Sequence, residues 1–198
     1  MNKKIARIAG STIAVAALVA LPLAGTASAA TSTSVINGSI GSTITVSSSG
    51  PVSINVAPTS GAVASSASDT VSVSTNDADG YVLSLETNSA NRNLTNGANS
   101  ITPSAGTLAA PATLATNTWG YRVDNAGGFT GTTTAETNIA SSAFNWAGVK
   151  ANGSADTIKT TSAPASNDQT RVWYAMSADT SKPSGTYTNT VLYTAVTQ

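Results

Sequence analysis

The chain is 198 residues long, with nine basic and nine acidic side chains, no histidine and no cysteine. The missing histidine excludes Ser-His-Asp and Cys-His catalysis and histidine metal sites; the missing cysteine excludes disulfides. Charge this sparse and balanced excludes the basic stripe that neutralises nucleic-acid phosphates or holds anionic lipid.

Lys3, Lys4 and Arg7 open the chain, an apolar run extends from Ile8 to Ala24, and Ala27-Ser28-Ala29 supplies the small residues of a peptidase site. That order reads as a secretory leader over 1–29, cut after Ala29. The protein is then expected outside the cytoplasm, extracellular, at the cell surface or in the cell wall. Kept uncut, the leader is about the minimum length that anchors a chain in a bilayer. Its removal leaves six basic and nine acidic residues, a net charge of −3. Residues 30–198 are expected to fold as one domain with no further membrane span.

Serine and threonine make up 59 of the 198 residues, which gives a polar surface with few charges. Threonine, being β-branched, suits a half-exposed strand. Ser42–Val46 and Ser53–Val56 read as short strands around a Gly50-Pro51 turn, a first hairpin. Residues 69–75 alternate, with Val71 and Val73 on one side, and residues 81–87 alternate with Tyr81, Leu83 and Leu85. Asn76–Gly80 between them has turn chemistry, so a second hairpin is expected there. Residues 88–118 read as a long loop, with Leu94 and Ile101 available to pin it to the core.

Strand character returns at Trp119–Val123, followed by a turn at Asn125–Gly128. Phe144 and Trp146 mark another apolar patch. Thr170–Ser177 puts Val172, Tyr174 and Met176 on one face and Arg171, Trp173 and Ala175 on the other. A last strand is expected from Thr186 to about Thr197 after the turn at Pro183–Gly185. Short strands separated by Gly, Pro and Asn turns predict an all-β, antiparallel two-sheet β-sandwich, Ig-like or jelly-roll-like, after the N-terminal signal helix.

Two stretches, Val73–Leu85 with its Gly80-Tyr81-Val82-Leu83, and Pro183–Ala195 with its Gly185-Thr186-Tyr187, resemble the WxL-type surface domain of bacteria. Tyr81-Val82-Leu83 stands at the first motif of that family and Tyr193-Thr194-Ala195 at the second, each with tyrosine for tryptophan. Trp119–Asp124 and the closing strand are also similar to small exported proteins of candidate-phylum bacteria. The resemblance implies a β-sandwich attached non-covalently to cell-wall polymer through surface aromatics.

Among chemical candidates, Thr75, Asp77, Asp79, Gly80 and Glu86 follow the spacing of a calcium loop. Thr75 replaces the first carboxylate, however, and 81–86 reads as strand where such a loop enters a helix. The reading is therefore no metal and no cofactor, with calcium at Asp77, Asp79 and Glu86 as the alternative. Asp77 with Asp79, or Glu86 with Asp124, are the carboxylate pairs open to acid–base work, and nothing in the sequence fixes their separation. Trp119 reads as core, while Trp146 and Trp173 have faces suited to sugar stacking, Trp173 being the better exposed candidate. Lys159 is the lysine in strand context that a side-chain isopeptide would need. Asn37, Asn93 and Asn152 fit the glycosylation pattern.

The function expected is that of a non-catalytic, structural or adhesive surface protein. It binds cell-wall polysaccharide or another surface protein through residues 88–118 and through Trp173, Trp146, Tyr81 and Tyr193. The alternative is a pilin-like subunit that joins copies of itself by strand exchange, through the polar 31–56 segment or the final strand.

Overall fold

The computed structural model of the chain describes residues 29–198. The leader, up to residue 28, lies outside the described residues. Two units are distinguished, a segment ending at Ser39 and a body from Ile40 to Gln198. Residues 29–39 have no regular secondary structure and are exposed throughout.

The body is all-β. Its strands are β1 (Ile44–Ser48), β2 (Val63–Thr75), β3 (Tyr81–Thr87), β4 (Leu94–Asn96), β5 (Asn99–Pro103), β6 (Ala112–Thr113), β7 (Thr118–Val123), β8 (Asn145–Trp146), β9 (Asp156–Thr160), β10 (Ala165–Ala178) and β11 (Val191–Thr197). Six form a large sheet in the order β1-β2-β10-β7-β5-β4; three form a small sheet, β11-β3-β9; β6 pairs with β8.

Alternation explains how the sheets meet. Val71 and Val73 of β2, Tyr81, Leu83 and Leu85 of β3, and Val172 and Tyr174 of β10 are buried in one core shared by both sheets. Each valine or leucine so placed contributes about 1.5–3 kcal/mol over leaving it in water. The two sheets thus face each other across their apolar sides, in a sandwich-like arrangement. Trp119 joins the same core.

The first expected hairpin does not form. β1 pairs with β2, Ile44 opposite Thr75, while residues 52–56 stay unpaired and lay Val52, Ile54 and Val56 against the core. Their alternation is real; their backbone ladder is not.

The second expected hairpin is also corrected. The turn at 76–80 exists, but β2 and β3 belong to different sheets. Both edges of β2 are taken by β1 and β10, so the chain must leave for the other layer. Asn76 accepts from the Thr43 backbone N–H at 2.7 Å and Asp77 from the Ser42 hydroxyl at 2.7 Å, tying the corner to the start of β1. Gly80 has φ +85°, and a Cβ there would collide with the Thr161 backbone, so only glycine fits this crossing.

Residues 88–118 are not a long loop, since they contain β4, β5 and β6. β4 and β5 pair around Gly97, and Ile101 is fully buried. These strands have three, five and two residues, too few for alternation to stand out. β5 runs parallel to β7, Thr102 opposite Thr118, so the large sheet is mixed and not purely antiparallel.

The last strand begins at Val191, not Thr186. Just before it, Thr188 exchanges backbone hydrogen bonds with Thr95 of β4 at 3.0 Å in each direction. The Asn189 side chain donates to the carbonyls of Asn91 and Asn93 at 3.0 and 2.8 Å. That amide fixes the break where the chain passes from the β4 side to the small sheet.

Candidate functional site

The residues singled out as surface aromatics are structural. Trp146 is fully buried and Trp173 is 6% exposed. Together with Ala175, Leu114 and Phe144 they form a second, smaller core, so the face of β10 expected to be open is covered. Ser142 receives the Trp146 indole N–H at 2.8 Å and itself donates to Glu136 at 2.6 Å. Arg122, also buried, lies over the rings of Phe129 and Phe144 at 5.3 and 5.2 Å, a cation held by aromatic faces.

Tyr81 and Tyr193 point inward as well. The Tyr81 hydroxyl donates to Asp168 at 2.8 Å, and Lys159 donates to the other oxygen of that carboxylate at 2.6 Å. Burial pushes the Asp168 carboxyl up, but the bonds from Lys159 and Tyr81 outweigh it and hold it below its usual range. Lys159, the isopeptide candidate, therefore stands in an ion pair with an ionised partner. An amide would need a neutral amine and a protonated acid.

The acidic candidates each have local partners. Asp77 accepts the Asp79 backbone N–H at 3.0 Å, a local turn bond. Glu86, the sixth residue of β3 and seven positions beyond Asp79, accepts from the Gly153 and Ser154 backbone N–H groups at 2.7 and 3.1 Å. Asp124 accepts from the Thr133 backbone and sits 3.6 Å from Arg122. Among the described residues no three acidic side chains gather as a metal site would require.

Two clefts stand out on the surface of the described residues. The smaller, about 240 Å³, is lined by Asn88, Asn91, Asn93, Thr95, Asn189 and Thr190 among others. It sits at the crossing built by Asn189. Its walls are tied by the Asn88 N–H to the Thr190 carbonyl at 2.9 Å and by the Thr95–Thr188 bridge. Its lining is entirely serine, threonine and asparagine. Side-chain amides and hydroxyls both donate and accept, which matches a sugar's hydroxyls and needs no charge, although the Asn189 amide is itself taken up by the walls, through Asn91, Asn93 and the Thr190 N–H. The density of asparagine between 88 and 99 was the signal in the sequence. Its partner, Asn189, lies about ninety residues away and is found only in three dimensions. The larger cleft, about 510 Å³, lies between β9 and the first half of β10.

Comparison with protein-family models, with curated proteins and with solved structures finds no match to this chain.

Proposed function

We propose that this chain is an exported, non-catalytic protein of the bacterial cell surface, structural or adhesive in role, which binds envelope glycan or a partner protein. Its sandwich would be of the WxL-like kind. The observation that most supports this reading is the neutral cleft of Asn88–Thr95 and Thr188–Thr190. Glycan hydrolysis calls for two carboxylates across a cleft; glycan recognition calls for neutral donors and acceptors, and neutral polar side chains line this cleft. The leader read at 1–29 gives the extracellular setting. The contacts first assigned to aromatics pass to these amides.

The test is sedimentation of the purified exported chain with isolated cell walls. Retention should survive salt washing, because uncharged contacts are not screened. The double substitution Asn88→Ala, Thr190→Ala should lower it. Retention no greater than that of an unrelated protein of equal charge rejects the reading.

The second reading, a subunit of a surface polymer, is favoured by a separate observation. Val35, Ile36 and Ile40 are 81%, 88% and 92% exposed, in a stretch without a single charged residue from Ala30 to Ser68. Uncharged, β-branched and unpaired, such a segment is a strand seeking an edge. Oligomers that disappear on deleting residues 31–39 are the expected result.

A further inference from the structure

We infer that the larger cleft is the receptor for an extended segment, Ser34–Ile40, of a second copy of this chain. This rests on the strand-exchange reading and names both halves of the contact.

The cleft exists because β7 is shorter than β10. β10 pairs with β7 only over Val172–Met176, and the chain turns away after Val123. Among the described residues, Asp168–Arg171 therefore keep strand partners on the β2 side alone, and none of these residues fills the lane beside them in the large sheet. Val123 and Ile158, both core residues, line it. Thr170 lines it too; it is 6% exposed, and its buried hydroxyl has no hydrogen-bond partner. A buried hydroxyl left unpaired is costly, and an added strand brings backbone donors and acceptors to this place.

The other edges of the two larger sheets are covered or blunted. β11 packs against β1. β4 is bridged by Thr188. On β9, Leu83 faces Lys159 and Ser84 faces Thr157, so Ile158 is the extra residue of a bulge, and Lys159 stands on the same strand. Bulges and lysines are the usual devices against edge pairing. The lane beside Asp168–Arg171 begins just past an irregularity at Ser166 and Asn167 and faces Lys159, but that lysine is held by Asp168, and Asp168–Arg171 themselves pair with β2 in unbroken register. Ser34–Ile40 fits it chemically: it is uncharged and unpaired, it has serine and asparagine for the polar rim, and it carries Val35, Ile36 and Ile40 to lie over Val123 and Ile158.

The test exploits the absence of native cysteine. Single-cysteine chains are made with Ser34→Cys or Asn37→Cys, and others with Gln169→Cys or Arg171→Cys, all at exposed positions. Thr194→Cys on β11 serves as the control. Donor and receptor chains are mixed and oxidised. The expected result is a crosslinked dimer at 169 or 171, lost when a peptide of residues 31–42 is added in excess, and none at 194. Oligomers that need residues 31–39 but crosslink at 194, or not at 169 and 171, overturn the receptor site and leave the strand-exchange reading standing. Absence of any oligomer dependent on that segment overturns both. A chain carrying cysteines at 37 and 171 that closes on itself and stays monomeric also overturns the inference.

Discussion

The hydroxyls of Tyr174 and Tyr193 meet at 2.6 Å, joining β10 of the large sheet to β11 of the small one through the core. Replacing Tyr174 with Phe leaves the Tyr193 hydroxyl without this partner. The expected cost is about 1–3 kcal/mol, read from chemical denaturation. The double variant Tyr174→Phe, Tyr193→Phe should lose less than the sum of the single changes. Additive losses would show that the contact carries no coupling.

Trp173→Ala should destabilise by about 3–5 kcal/mol, because it opens a hole in the second core, while a folded sample binds cell walls as the parent does. Loss of wall binding at unchanged stability would return Trp173 to the ligand site and remove the case for the asparagine cleft.

Stability should fall in alkali. Burial is the first cause that raises the phenol pKa of Tyr81, Tyr121, Tyr174 and Tyr193 above the ordinary value, with Asp168 and Asp156 adding to it for the first two. Below about pH 10 both folded and unfolded chains hold these protons. Above it the unfolded chain gives them up while the native one does not, so stability declines as pH rises. Tyrosinate absorbance should appear together with the loss of the sheet circular-dichroism signal. Ionisation of all these phenols in a still-folded protein would contradict their placement.

Acid acts through Asp168 in the opposite sense. Its carboxyl is held below the unfolded value of about 3.9 by Lys159 and Tyr81 against the effect of burial. Its contribution is complete above that value and is lost as pH falls through the folded one. Because both side chains of the ion pair are about 30% exposed, the pair is worth only about 0.2–1 kcal/mol. Asp168→Asn should flatten the acid limb of the stability curve slightly; an unchanged limb would show that the pair does not couple to folding.

Gly80→Ala should cost about 1–3 kcal/mol, because the positive φ and the Thr161 backbone leave no room for a methyl group. Gly153→Ala, at φ +84° with open space around it, isolates the backbone part of the effect. Equal losses at the two positions would show that crowding at Gly80 is unimportant.

Much of the fold was legible in the pattern of side chains. Val71, Val73, Tyr81, Leu83, Leu85, Val172 and Tyr174 alternate and are all in the core. What alternation does not encode is the partner of each strand. Asn76–Gly80 has the letters of a hairpin turn, yet a corner between two sheets needs the same letters, since both demand a tight reversal with positive φ. Trp173 illustrates a second limit. It is opposite the core face of β10 and was read as open, but Trp146, twenty-seven residues earlier, returns to cover it. A strand with apolar residues on both faces is the hint that both faces are covered. The asparagine cleft was half visible, as a dense run at 88–99; the contribution of Asn189 was not, because nothing local distinguishes it.

The crossing at Gly80 also governs when the molecule can take shape. β2 waits for β10 and β3 waits for β9 and β11, so the strands laid down early have their main partners at the far end of the polypeptide. Of the ladders described here, β4 with β5 is the most local. Topologies dominated by distant pairing assemble slowly, so a nascent chain without its C-terminal strands lacks the means to close either layer. The small sheet is completed only once residues 191–197 dock on β3.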